Sequence, residues 1–347
     1  MLRAALLLSV IALARPVSVL GQEDPPKGEV LNVYCWENYF AATTLSDFEK
    51  EFGCKIELRT YASNEELEEK LLSGLLGMDV IFPSDYMVKK LYDQNVLGRL
   101  DTKKIPNLKN IAQRFLKLPY DRNNNYSVPY MWGTTGLAVN RTKVTGKVDT
   151  LAILFDPRYK GRIAMLDDPR SGIGMALKYL GKSVNSRKKE DLQAVRELLL
   201  KQKELVAKYD SEKYTDSLLD GSIYIAMGYG GDVLTAREKD KSIFYFVPEE
   251  GTILWTDNVC VLKGSEHVEL AQNFINYLLR PEVSAAITNE TFFASPNEAA
   301  EKLVKPDILH DRTIFPPKKV MDKSEFLDNI GSAQETYDAI WKEVTGE

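Results

Sequence analysis

From Leu31 onward, short β-rich runs alternate with helical stretches across tight joints, and no other property of the chain narrows its possible folds as far. Leu31–Trp36 is rich in β-formers. Thr43–Phe52 places Leu45, Phe48 and Phe52 on one helical face, and Gly53 then stops the helix. Ile56 and Leu58 alternate with polar neighbours, which predicts a second strand through Tyr61. Ser63-Asn64-Glu65-Glu66 spells a capping box, and Leu67, Leu71 and Leu75 continue the helix behind it. Asp79–Phe82 reads as a third strand, stopped by Pro83. Strand–helix–strand–helix–strand with short joints implies a parallel sheet covered by helices.

The pattern resumes after Leu137-Ala138-Val139. Strands are expected at Arg162–Leu166, Tyr224–Met227 and Ile243–Val247, with helices near Gly174–Leu180, Lys189–Lys203, Thr215–Leu219 and Asp232–Glu238. Ile253–Val261 is a further long strand, and Val268–Leu279 an amphipathic helix closed by Arg280-Pro281. The remainder reads as short helices joined by Pro and Asn. At 347 residues two domains are expected. With no Gly/Ser-rich linker, the chain should cross between them at strands.

The first residues read as an address. Arg3 precedes an apolar stretch from Ala4 to Ala14, right for a secretory leader and too short to span a bilayer. Met1–Gly21 is therefore assigned as a signal peptide, and 22–28 as a polar, proline-bearing tether. Val19-Leu20-Gly21 resembles the approach to a bacterial lipoprotein cleavage site, with Gln22 where the lipidated Cys would stand. Conventional cleavage, or lipid anchoring of a version that carries the Cys, are the two readings. An exported chain meets an oxidising compartment, but Cys35, Cys54 and Cys260 are odd in number, lack a CxxC spacing and sit in apolar contexts. Buried free thiols are expected.

Composition excludes several function classes. A net charge of −5 argues against nucleic acid as a partner. Two histidines, His267 and His310, leave little for zinc or haem, so no metal or cofactor is expected. GxSxG, HExxH and GxGxxG are all missing, and Asp167-Asp168 is the one pair open to acid–base or metal work.

In open α/β sheets, ligands lie beyond the carboxyl ends of strands. The first strand ends in Trp36-Glu37-Asn38-Tyr39 and the third in Pro83-Ser84-Asp85-Tyr86. Arg162–Leu166 ends in Asp167-Asp168, and Tyr224–Met227 runs into Gly228-Tyr229-Gly230-Gly231-Asp232. Within Ile253–Val261, Trp255 and Asp257 share one face of the strand. Aromatics and carboxylates recur at these positions and bases do not. A ring face attracts a cation, and a carboxylate accepts charge-assisted hydrogen bonds from ammonium groups. The pattern describes a site for an organic cation.

These residues resemble the spermidine/putrescine-binding periplasmic receptors of polyamine ABC transporters, from Leu31 to the C-terminus. Val33–Tyr39, Asp79–Tyr86, Pro129–Thr135, Leu166-Asp167-Asp168 and Trp255-Thr256-Asp257-Asn258 carry the resemblance through their order and spacing. It implies a two-lobed α/β periplasmic-binding-protein fold of type II character, each lobe a mainly parallel sheet flanked by helices. The first lobe would hold residues 29–135 with 258–303, the second 136–257 with 304–347. It also implies a monomer that binds a polyamine and delivers it to a membrane permease, without catalysis. Trp36 and Tyr39 would form one aromatic wall and Trp255 another, Ser84 and Tyr86 would meet an amine or its stem, and Asp168 and Asp257 would accept from ammonium groups. Tyr229 stands where spermidine receptors have Trp, and Asp232 matches an acid of the putrescine-preferring branch. Asn38, Ser171 and Leu327 replace polar or acidic residues, with Glu37 beside Asn38 able to compensate. Receptors for ferric iron or an amino acid, or a periplasmic hydrolase using Asp167 and Asp168, are the competing readings.

Overall fold

The computed structural model describes residues 28–74 and 77–346. The leader, the tether up to Lys27, and Leu75 of the helix behind the capping box lie outside them.

Three parallel-type units open the chain: β1 (Val30–Cys35), α1 (Thr44–Phe52), β2 (Lys55–Thr60), α2 (Asn64–Leu72), β3 (Val80–Ile81) and α3 (Asp85–Asp93). The helix boundaries follow local chemistry. Gly53, in the left-handed region at φ 67°, donates its N–H to Glu49 O and ends α1. Ser63 Oγ accepts from Glu66 N–H, while the Glu66 carboxylate reaches Ala62 N–H, one residue upstream of the usual capping-box partner.

A long strand, β4 (Val128–Asn140), then leads to β5 (Ile163–Met165), α4 (Pro169–Tyr179), α5 (Lys189–Lys203), β6 (Val206–Tyr209), α6 (Tyr214–Leu219), β7 (Ile225–Tyr229), α7 (Gly230–Lys239) and β8 (Ile243–Phe246). The chain returns through β9 (Ile253–Val261), followed by α8 (Val268–Leu278), α9 (Pro281–Thr291), α10 (Pro306–Leu309), α11 (Lys318–Met321), β10 (Glu325–Phe326) and α12 (Gln334–Thr345).

The strands lie in the order β2-β1-β3-β9-β4-β7-β5-β6, with β8 beside β4 and β10 beside β9. Pairing is parallel at both ends, β2-β1-β3 and β7-β5-β6. It is antiparallel where β9 and β4 join the halves. This is the two-lobed binding-protein architecture. β9 pairs with β3 through Cys260 and Val261, and with β4 from Ile253 to Val259. Every residue of β4 and β9 is buried, which explains why both read as near-continuous apolar and small residues. Cys35, Cys54 and Cys260 are buried and unbridged.

Four elements differ from the sequence expectation. α4 starts at Pro169, not Gly174, because Pro fits the first helical turn and Asp168 caps it. Gly172 and Gly174 lower its intrinsic propensity, but a side chain at Gly172 would overlap the Trp341 indole. Pro281 opens the eleven-residue α9 as well as closing α8. The C-terminal segment ends in a twelve-residue helix, since Tyr337, Ile340, Trp341 and Val344 of α12 form a second core with Leu177 of α4 and Leu192, Val195 and Leu199 of α5. β6 was not anticipated; it is a short, half-buried edge strand with little alternation. A Gly172→Ala variant is therefore expected to lose roughly 1–3 kcal/mol in urea unfolding through overpacking against Trp341. An unchanged midpoint would mean that α12 shifts without cost.

Candidate functional site

The carboxyl ends of the strands open on one cavity of about 740 Å³, counted out to its mouth. The turn after β1 supplies Trp36, Glu37, Asn38 and Tyr39; the start of α3 supplies Ser84 and Tyr86; β9 supplies Trp255 and Asp257. The segments between β4 and β9 add Asp168 at the start of α4, Tyr229 at the end of β7 and Asp232 in the first turn of α7. Eleven of the twelve residues anticipated from sequence thus meet around one space.

Asp85 is the exception. It is buried, but its carboxylate accepts from Tyr86 N–H at 2.8 Å and does not line the cavity. Successive residues entering a helix point about 100° apart, so Ser84 and Tyr86 face the cavity while Asp85 turns away from it. The Asp167-Asp168 pair also diverges. Asp167 accepts from the Trp341 indole N–H at 3.1 Å, whereas Asp168 accepts from Ser171 N–H at 2.6 Å as the N-cap of α4. The two carboxyls serve different neighbours and do not act as one acid–base unit.

The rings form a continuous wall. Centroids step from Trp36 to Tyr39 at 6.4 Å, Tyr39 to Phe293 at 5.8 Å, Phe293 to Trp255 at 5.5 Å, and Trp255 to Tyr229 at 6.1 Å. Trp36 is pinned by its indole N–H donating to Phe82 O at 2.8 Å and by Tyr61 at 4.6 Å. Trp255 lies flat on β4 because Gly133 has no side chain; a Cβ there would come within 2.5 Å of the indole. Asn38 has φ 56°, the left-handed region that Asn tolerates, and with Glu37 stands exposed at the rim.

Each acid is held by neutral donors rather than by a cation. Asp257 accepts from Ser84 Oγ at 2.6 Å through one oxygen and from the Tyr39 hydroxyl through the other. Ser84 is itself fixed by Asn64, whose amide donates to Ser84 Oγ at 2.9 Å and whose carbonyl oxygen accepts Ser84 N–H at 3.1 Å. Burial nonetheless pushes the Asp257 carboxyl up to about 7 against the pull of those donors. Burial likewise lifts Asp232 to about 7, with Tyr214 opposing and the Glu37 charge adding. Asp168 is raised by burial, against Ser171 and Arg170.

Several residues escaped the sequence reading. Tyr61, Asn64, Phe293 and Ser211 also line the cavity, beside Ser171 and Leu327, which the sequence reading names as replacements that bear on the ligand. Behind Tyr86 lies Glu65, which accepts from the Tyr86 hydroxyl at 3.1 Å and is lifted to about 7 by burial and the Asp168 charge. Bases were not expected at the strand ends. Among the described residues none lines the cavity, but Arg170 sits fully buried one layer behind, its guanidinium 4.9 Å from the Tyr86 ring centre. It donates to Asn185 Oδ1 and Asp328 O, both at 3.0 Å, and not to Asp168. The signal was present: a cation in the first turn of a helix opposes the helix dipole, so its placement needs another cause.

Residues 76–319 match the model of the bacterial extracellular solute-binding protein family. The spermidine/putrescine-binding periplasmic protein of Escherichia coli is 32% identical over 340 residues, 97% of each chain. The putrescine-binding periplasmic protein SpuD of Pseudomonas aeruginosa is 34% identical over 356 residues, again 97% of each. Among solved structures, a Listeria monocytogenes chain described as a candidate spermidine/putrescine ABC transporter superposes with a TM-score of 0.87 at 32% identity, covering 91% of this chain and 98% of that one. With the fold, the cleft and these full-length likenesses in agreement, the chain belongs to the bacterial extracellular solute-binding protein family, in the group that holds the spermidine/putrescine-binding periplasmic proteins.

Proposed function

We propose that this chain is an extracytoplasmic receptor for polyamines that hands its ligand to the membrane permease of an ABC transporter. The observation that carries the reading is a cavity walled by rings, with Asp168, Asp232 and Asp257 around it and, among the described residues, no Lys or Arg in its lining. An alkyl stem would lie along Trp36, Tyr39, Trp255 and Tyr229, while its ammonium ends donate to the carboxylates. We take the lobes as 29–135 with 258–303 and 136–257 with 304–347, closing on the ligand because only the closed form offers it both sets of contacts. The leader 1–21 supports export to the periplasm, and a monomeric state belongs to the same proposal; with Gln22 in place of the acceptor Cys, lipid anchoring would need a version that carries that Cys.

Ferric iron is disfavoured because the Tyr39 and Tyr86 hydroxyls already donate to the Asp257 and Glu65 carboxyls, and no group of three or more His, Cys, Asp or Glu placed to hold a metal ion occurs among the described residues. An amino acid would want a cation for its α-carboxylate, which the lining does not supply. Stabilisation by micromolar diamine in a thermal-shift assay, without response to amino acids or iron, is the outcome the polyamine reading requires.

Ser171 and Leu327 offer the cavity a neutral hydroxyl and an apolar chain, neither of which supplies the negative charge a further ammonium would want. A triamine therefore gains little over a diamine, and putrescine should bind at least as tightly as spermidine. Calorimetry on ligand-stripped protein checks this, and a tenfold spermidine preference would overturn it.

Asp257→Asn is expected to keep the fold and lose well over tenfold in putrescine affinity, because the buried ammonium loses its anion. An unchanged dissociation constant would remove Asp257 from the site.

Asp232, Asp257 and Glu65 are raised to about 7, above the ordinary carboxylate range. Their contribution to the stability of the ligand-free fold is present below the ordinary carboxylate value and lost as pH rises through about 7. A bound diammonium reverses the preference by favouring the ionised forms. Binding near neutral pH should release about one proton per ligand, and affinity should rise between about pH 5 and pH 8. Calorimetry in buffers of different ionisation enthalpy measures that proton; zero release would contradict the assignment of these acids to the ligand.

A further inference from the structure

We propose that Tyr214, which does not line the cavity, is the positioning residue that keeps Asp232 directed at the ligand; the inference rests on the polyamine reading of the site. Tyr214 is fully buried at the start of α6, behind β7 and α7. Its hydroxyl has two partners: it accepts Tyr229 N–H at 2.9 Å and donates to Asp232 Oδ2 at 3.2 Å. A phenol has one proton, and the amide can only donate, so the O–H must point at the carboxyl. One oxygen thus ties a wall ring and an acid of the same cavity together.

The position of Asp232 makes this arrangement consequential. α7 starts at Gly230 with Tyr229 as its N-cap, so Asp232 is the third helical residue. In a capping box that residue folds back to accept the N-cap N–H. Here the Tyr229 N–H is already taken by Tyr214, and Asp232 is released from capping its own helix to face the cavity. Gly228 serves the same purpose, because any side chain there would overlap the Tyr214 ring. Without the phenol, Tyr229 N–H would be left without its acceptor, and the nearest carboxyl able to serve it is Asp232. The acid would swing back to cap the helix and leave the ammonium.

The test is a double-mutant cycle on putrescine affinity, measured by calorimetry on ligand-stripped, full-length protein, with Tyr214→Phe, Asp232→Asn and both together. Tyr214→Phe alone should weaken binding roughly tenfold, the scale of a hydrogen bond to a charged group. In the Asp232→Asn background the same change should have little further effect. Equal losses in both backgrounds, or no loss in either, would overturn the inference, since a merely structural role is additive. Should Tyr214→Phe fail to fold, fluorotyrosine at Tyr214 gives the answer without removing the hydroxyl. The more acidic phenol donates more strongly, so it should move the pH dependence of binding to lower pH, and an unmoved profile would overturn the proposal. Wild-type protein that binds no diamine would defeat the polyamine reading and this inference with it; wild-type binding with an additive cycle would defeat this inference alone.

Discussion

Carboxyl groups withdrawn from water and hydrogen-bonded only by neutral groups are the constraint around which this molecule is arranged. Asp168 and Asp257 are buried, and Asp232, half-buried, lines the cavity. Each is held by neutral donors: Ser84 and Tyr39, Tyr214, or the Ser171 amide. Such donors orient a carboxylate without neutralising it. The cost of keeping it ionised, on the order of a few kcal/mol per group, remains for an incoming cation to offset. Arg170, one layer behind, opposes the rise of Asp168 through its charge without bonding it: its hydrogen bonds go to Asn185 and Asp328, and its guanidinium rests over Tyr86 and Tyr337.

The crossing strands turn that local chemistry into a two-sided site. β4 and β9 lie side by side at the centre of the strand order, so each lobe is covalently and hydrogen-bond continuous with the other. Trp255 and Asp257 stand on β9 itself, close to where it leaves β4 for β3. The isolated bridge between Ser84 and Asp257 ties the start of α3 to the same strand. The pocket floor is therefore part of the connection between lobes. Gly133, on the neighbouring strand, is the absence of a side chain that lets the Trp255 indole lie down.

Much of this was legible beforehand where the signal is local. The Leu45, Phe48, Phe52 face and the Gly53 stop gave α1; the apolar run Ile253–Val261 gave β9 to the residue; alternation by two put Trp255 and Asp257 on one side. Reading failed where a residue's direction depends on a partner distant in the chain. Asp85 has the same neighbours in sequence as Ser84 and Tyr86, and only the entry angle of α3 turns it away. The helix expected near Gly174–Leu180 starts at Pro169, and Gly172 within it leaves room for Trp341, more than 150 residues on, which no local pattern shows.

By itself, then, the sequence determined the strand–helix alternation, the chemistry clustered at the strand ends and the shortage of bases among it, because periodicity, capping and charge are written within a few residues. Tertiary structure alone decided which acids lack a counter-ion, that Arg170 lies just behind the site, that Glu65 joins it through Tyr86, and that Tyr214 governs Asp232. Solvation and hydrogen-bond partnership belong to what surrounds a side chain, and here those surroundings are assembled from elements that only the crossing of β4 and β9 brings together.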